Sequence, residues 1–216
     1  SKGIHKKNIK RLRGKPLIQY SIDVAKEISN LDDICFTSDS DEIIEVAQNC
    51  GLKVAFKRPD VLATDTANSR DVMLHAIETY EKLHNKTYDA IILLQPTSPF
   101  RSTEQVISCV KLYTNDLDMV VSVKAASANP YYNLYEEDNG YLESSKKGNF
   151  TRRQDCPEVW EFNGAIYVIN CESLRKQKMK AFTKVKKFEM SEKTSIDIDS
   201  PLDWEIAEFL LKNNKL

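Results

Sequence analysis

The 216-residue chain has no apolar run of membrane-spanning length, no C-x-x-C pair, no excess of either charge and no histidine pair at ligand spacing. Each absence removes a class of function. Without about 20 consecutive apolar residues there is no transmembrane helix, and no secretory leader is legible. Lysine and arginine number 31 against 32 aspartates and glutamates, so neither a nucleic-acid groove nor an anionic membrane surface is the expected main partner. The five cysteines (Cys35, Cys50, Cys109, Cys156, Cys171) are odd in number and widely spaced. That argues against a disulfide framework or a zinc site and points to reduced thiols in the cytoplasm. Cys35 and Cys109 lie inside apolar patterns and are expected in the core. The three histidines, His5, His75 and His84, form no metal-ligand pair.

What is present is a regular alternation of short apolar strands and amphipathic helices. The length suits a single α/β domain over residues 1–216 with a small appendage. Leu17, Ile18, Ile22, Ala25 and Ile28 have helical spacing over residues 16–28. Residues 34–37 predict a strand. Ser38-Asp39-Ser40-Asp41 then caps a helix that runs through Ala47 and stops at Gly51. Residues 54–56 predict a second strand, 71–83 a long helix, 90–94 a continuously apolar strand, 102–113 a helix and 119–123 another buried strand. Strands apolar on both faces belong in a sheet covered on both sides. The repetition predicts a doubly wound, mostly parallel open sheet.

Between about residues 125 and 188 the pattern breaks. Asn129-Pro130-Tyr131-Tyr132, Asp138-Asn139-Gly140 and Lys146-Lys147-Gly148-Asn149 are turn signals around short β segments. The polar, aromatic composition predicts an insertion that packs on another chain, and residues 165–169 return to the main sheet. A doubly wound sheet opens on a strand before its first phosphate loop, whereas this chain opens directly on Ser1-Lys2-Gly3. A first strand is therefore expected ahead of Ser1.

Chemistry concentrates at the two ends. Ser195-Ile196-Asp197-Ile198-Asp199 places two carboxylates at i and i+2, on one face of an extended segment, with Ile196 and Ile198 facing a core. Such a pair can share a hard divalent cation while leaving positions for water and phosphate oxygens, as Mg²⁺ prefers. Alone, the pattern equally describes an edge strand with a solvated acidic face. Ser200 as N-cap, Pro201 at the first position and Asp203 in the first turn start a helix behind it. At the other end, residues 1–9 hold three lysines and a glycine ahead of a helix, a loop able to wrap N–H groups and ammonium charges around a polyphosphate. It lacks G-K-[ST], so it is no P-loop. Gln95 follows the strand at 90–94, at the carboxyl end where open α/β sheets bind ligands. Arg101 is open to pairing with an acidic side chain.

Taken together, six motifs resemble those of the acylneuraminate cytidylyltransferases: S-K-G-x-x-x-K-N, R-P-x-x-L-A-x-D-T-A-x-S (residues 58–69), L-Q-P-T-S-P-x-R (94–101), R-R-Q-D (152–155), N-G-A-I-Y (163–167) and S-I-D-I-D. They occur in the family's order and span nearly the whole chain. The resemblance implies a homodimeric nucleotidyltransferase that joins CTP to a nine-carbon 2-keto sugar acid of sialic acid type, releasing pyrophosphate, with Mg²⁺ held by Asp197 and Asp199. It implies that Lys2 and Lys7 hold the triphosphate, that Asn8 anchors ribose or base, and that Arg58 and Ser69 lie near the nucleotide. Catalysis would rest on Lys2, Lys7, Asp197 and Asp199. Gln95, Arg153 and Tyr167 would meet the sugar, Arg153 as the fork for its carboxylate, on its own or a neighbouring subunit's site. Glu161 and Phe162 stand where some bacterial members carry Arg and Pro. Legionaminate, pseudaminate or deaminated neuraminate are alternative sugars, and a catalytically silent nucleotide-binding subunit is an alternative of another class.

Overall fold

A computed structural model describes residues 3–64 and 67–213. The chain opens with a small ribbon, β1 (Arg11–Leu12) and β2 (Lys15–Pro16), followed by α1 (Leu17–Ile28), α2 (Asp41–Asn49) and α3 (Ser69–His84). Then come β3 (Ala90–Leu93), α4 (Thr103–Lys111), β4 (Met119–Ala125), a hairpin of β5 (Tyr135–Asp138) and β6 (Tyr141–Ser144), and the long β7 (Trp160–Asn170). The chain finishes with α5 (Cys171–Lys176), β8 (Val185–Glu189) and α6 (Pro201–Lys212). The central sheet has the order β3-β7-β4-β8. Strands β3, β4 and β8 share one direction and β7 runs against them.

Alternation along the central strands builds two cores. Val120, Ile166 and Val168 face one side, against Val24 of α1 and Val106 and Cys109 of α4. Met119, Val121, Val123 and Ile169 face the other, against Met73 and Ile77 of α3 and Leu174 of α5. Each such side chain contributes about 1.5–3 kcal/mol on burial, which explains why residues 119–121 and 165–169 are apolar on both faces. A third cluster joins the chain's two ends: Ile4, Leu12 and Leu17 pack with Ile198, Trp204 and Ala207. The helix starts follow from capping. Ser102 and Gln105 form a reciprocal capping box on α4, and Ser200 and Asp203 form another on α6, with Pro201 in its first turn as expected.

Three expectations are corrected. Residues 34–37 and 54–56 lie outside any strand: β3 stands at the edge of the sheet, paired on one side to β7, and neither segment forms a ladder with its other side. Cys35 is exposed and lines a cleft facing β3, whereas Cys109 is buried as expected. Ser195 ends a 3-10 turn rather than opening an extended run, and the residues after it join no sheet: Ile198 N–H donates to the Thr97 carbonyl at 2.8 Å. The return to the sheet begins at Trp160, five residues before the predicted strand. The β5–β6 hairpin turns on Asn139-Gly140, both with positive φ, as its D-N-G signal predicts. Among the described residues, no helix is long and apolar enough to cross a membrane.

Candidate active site

The two ends of the chain meet. Lys7, only 7% exposed, donates from Nζ to the Ile198 carbonyl at 2.5 Å and to Asp199 Oδ1 at 2.9 Å. The Asp199 side chain is 76% exposed, so the ion pair runs from interior to solvent. Gly3 closes the same junction: a Cβ there would fall 2.2 Å from the Asp199 carbonyl oxygen, leaving no room for a side chain. Lys10 adds a cation–π contact, its Nζ 4.2 Å from the Trp204 ring centre.

The second assembly centres on a bulge in β7. Val121 pairs with Tyr167 and Val123 with Phe162, so residues 163–166 oppose Ser122 alone. Gly164 adopts φ +73 there, and a Cβ would meet Gln95 Oε1 at 2.8 Å, Ser98 Oγ at 3.1 Å and Asp197 Oδ2 at 3.3 Å. Three polar groups from two distant segments, the loop after β3 and S-I-D-I-D, therefore converge on one bare backbone position. Buried Asn163 braces them. Its Oδ1 accepts from Ser122 Oγ (2.6 Å), its Nδ2 donates to Ser195 Oγ (2.8 Å), and its carbonyl accepts from Ser98 Oγ (3.2 Å). One asparagine thus locks N-G-A-I-Y, the loop after β3 and the start of S-I-D-I-D together.

Asn8, Arg58, Ser69 and Gln95 all line one cleft of about 910 Å³ between α1, α3, β3 and residues 34–39. Ser69 opens α3, so the positive end of a 16-residue helix also faces this space. Arg58 pairs with Asp39. Burial works to raise the Asp39 carboxyl, but its own backbone N–H and the Arg58 guanidinium outweigh it and hold the carboxyl below its ordinary value. Arg101 is buried and finds no acid among the described residues. Its Nη1 donates to Ser21 Oγ at 2.7 Å and its Nη2 to the Gln95 carbonyl. Burial pulls this guanidinium below its usual value while the charge of Asp197 acts the other way. Tyr167 is held above the ordinary phenol range by burial and then by Asp197. Among the described residues, the buried side-chain atoms without a partner are Thr37 Oγ1, Arg58 Nε, Arg101 Nε and Asp197 Oδ1. Thr37 and Arg58 line the cleft, and Arg101 and Asp197 each adjoin Gln95. Polar groups left unmatched inside a protein are costly, and two of these four, Thr37 Oγ1 and Arg58 Nε, belong to residues that line the cleft.

The Cytidylyltransferase family model matches residues 1–215. The chain belongs to the cytidylyltransferase family. It is 36% identical over 217 residues to a post-translational flagellin modification protein B of Campylobacter coli, covering 100% of this chain and 92% of that one. It is 35% identical to a CMP-N,N'-diacetyllegionaminic acid synthase of Campylobacter jejuni, with the same coverage. A solved structure of CMP:2-keto-3-deoxy-manno-octonic acid synthetase complexed with CTP superposes with a TM-score of 0.71 at 18% identity, over 99% of this chain and 95% of that one, a likeness of fold.

This cytidylyltransferase brings together most of the residues singled out from sequence. Lys7, Asn8, Arg58, Ser69, Gln95, Asp197, Asp199 and Tyr167 lie in or beside the cleft. Lys2 lies outside the described residues. Arg153 does not join them: it sits on an exposed 3-10 turn after the hairpin, outside the cleft lining. Arg152 beside it forms a forked pair with Asp155. Sequence reasoning undervalued Ser98, Arg101, Asn163 and Gly164. All four stand within quoted motifs, but only the bulge reveals what they hold.

Proposed function

We propose that this nucleotidyltransferase transfers the cytidylyl group of CTP to a nine-carbon 2-keto sugar acid. The anomeric oxygen attacks the α-phosphorus, the bond to the β-phosphate oxygen breaks, pyrophosphate leaves, and the anomeric hydroxyl gives up its proton. Such a displacement is accelerated mainly by positioning and charge neutralisation. The observation that carries the reading is the meeting of Lys7 with the Asp197/Asp199 segment beside a cleft lined by Asn8, Arg58, Ser69 and Gln95. Lys7 and Arg58 supply cationic charge for the triphosphate, and Gln95 supplies an amide for sugar hydroxyls.

Asp197 and Asp199 suit Mg²⁺. Asp197 Oδ1 is a buried acceptor without a partner, and among the described residues no group of three or more His, Cys, Asp or Glu gathers as a closed metal cage. Two carboxylates with the remaining positions left to phosphate and water match the way this ion binds. When bound, the ion would neutralise charge on the triphosphate. The synthase name of the Campylobacter jejuni relative favours a legionaminic-type acid as a second reading of the sugar. A cytoplasmic location accords with five free thiols.

A homodimer is part of the proposal. Tyr135, Tyr141, Leu142 and Phe162 are all more than half exposed, a concentration of apolar surface on and beside the hairpin. Arg153 follows that hairpin and would reach a site through a second subunit. The deciding experiment measures pyrophosphate release from CTP and Mg²⁺ with N-acetylneuraminate, deaminated neuraminate, N,N'-diacetyllegionaminate and pseudaminate. Release with at least one acid and none with neutral sugars is expected. Silence across the panel, with CTP binding retained, would favour a non-catalytic subunit.

A further inference from the structure

We propose that Arg101 is a positioning residue that fixes the Gln95 amide at the sugar side of the cleft, a role that rests on the cytidylyltransferase reading above. A buried guanidinium normally sits against a carboxylate, because an unpaired interior charge is costly. Arg101 instead spends its fork on two neutral oxygens from different elements: Ser21 Oγ on α1 and the Gln95 carbonyl beyond β3. The same carbonyl also accepts from Ser21 Oγ at 3.4 Å and from Ser98 N–H at 3.3 Å. The peptide of residue 95 is thereby held from three directions, with one charged donor among them. Its side chain reaches over the bare Cα of Gly164, where its Oε1 lies 2.8 Å from where a Cβ would stand.

Gln95 is therefore set from both ends. Arg101 fixes where its backbone stands, and Gly164 leaves space for its amide beside Ser98 and Asp197. A guanidinium suits this task because its planar fork engages two acceptors at a fixed spacing, which an ammonium does not. Through Ser21 the same fork ties the sugar-side amide to α1, the helix that follows the lysine loop. The unpartnered Nε points to an arrangement kept for geometry rather than for full satisfaction of the guanidinium.

The test pairs Arg101→Met and Arg101→Lys with Gln95→Ala. In the free protein, the side-chain amide resonance of Gln95, identified by its loss in Gln95→Ala, is expected to shift in Arg101→Met and to return only part of the way in Arg101→Lys. In turnover, Arg101→Met is expected to lower kcat/KM for the sugar acid at least about tenfold while KM for CTP moves less than about threefold. In the Gln95→Ala background the same change should cost less than about twofold, since residues acting as one unit are not additive. An unmoved Gln95 resonance, or an equal loss in both backgrounds, overturns the proposal. If Arg101→Met does not fold, Arg101→Lys carries both measurements. If the wild-type protein releases no pyrophosphate with any acid sugar, the function reading fails, and the Gln95 resonance still decides the role of Arg101.

Discussion

The junction of the chain ends and the β5–β6 hairpin both mix polar with apolar residues, yet they end in opposite environments. At the junction, Lys7 is buried to 7% exposure and its ammonium is held by the Ile198 carbonyl and the Asp199 carboxylate. On the hairpin, Tyr141 and Leu142 are 78% and 71% exposed, with all eight strand residues in solvent. The junction holds a buried ammonium against a carboxylate. The hairpin leaves its apolar area uncovered among the described residues, and under the proposed dimer that area is the surface for a second copy. On that proposal the site is divided between an interior and an outward arm, and substitutions should separate the two.

The largest effect is expected at the junction. Asp199→Asn should lower turnover at saturating Mg²⁺ at least about a hundredfold, because metal-ion neutralisation supplies several kcal/mol and each ~1.4 kcal/mol is a factor of ten. Its stability in thermal melts should move by no more than about 1 kcal/mol, since Asp199 itself is mostly exposed and the buried Lys7 keeps the Ile198 carbonyl as an acceptor. Near wild-type turnover would remove Asp199 from the machinery. Gly164→Ala comes next. Backbone strain at φ +73 and a Cβ against Gln95, Ser98 and Asp197 should cost about 1–3 kcal/mol of stability in denaturant melts. It should also cost activity beyond what that loss of folded protein explains, and a silent substitution would mean that the three groups need not converge.

Arg153→Ala tests the arm. We expect kcat/KM for the sugar acid to fall at least about tenfold while KM for CTP and the melting temperature hold, a charge-assisted hydrogen bond being worth roughly 1.5–3 kcal/mol. Mixing Arg153→Ala with Lys7→Ala chains should restore activity if the two residues serve one site from different subunits. No restoration after confirmed subunit exchange would erase the division between interior and arm. Replacing Tyr141 and Leu142 with serine should weaken the dimer in sedimentation at micromolar concentration without unfolding the chain. An unchanged sedimentation profile would place the interface elsewhere.

The smallest effect concerns the helix behind the site. Burial works to raise the Asp203 carboxyl, but hydrogen bonds from Ser200 and the Asp199 N–H hold it below its ordinary value. A lowered folded-state pKa contributes stability above the unfolded value, near 3.9, that is lost as pH falls through the folded one. Asp203→Asn should therefore melt earlier than wild type at neutral pH, by the roughly 1 kcal/mol of a cap, and the gap should close in acid. A gap that persists or widens in acid would show that the carboxylate charge is not what holds α6.

Local rules carried the helices far. Spacing and capping residues gave α1, α4 and the start of α6 to within a residue or two, because caps and amphipathic stripes are decided within a few positions. The strands at 34–37 and 54–56 have the right composition and no ladder, since a strand needs a neighbour and composition cannot supply one. Motif by motif, Lys7, Asn8, Arg58, Ser69, Gln95, Asp197 and Asp199 were legible as chemistry.

By itself, then, the sequence determined most of the helices, the apolar stretches of the central strands and the residue types of the candidate site, all of which depend on residue type and short-range spacing. Only the tertiary structure decided that Lys7 meets Asp199 across nearly the whole chain and that a bulge bares Gly164 to Gln95, Ser98 and Asp197. It also decided that Arg101 grips neutral oxygens instead of an acid and that Arg153 stands outside the cleft. Those outcomes come from sheet order, register and the closing of chain ends on a shared core, long-range pairings that no local pattern encodes.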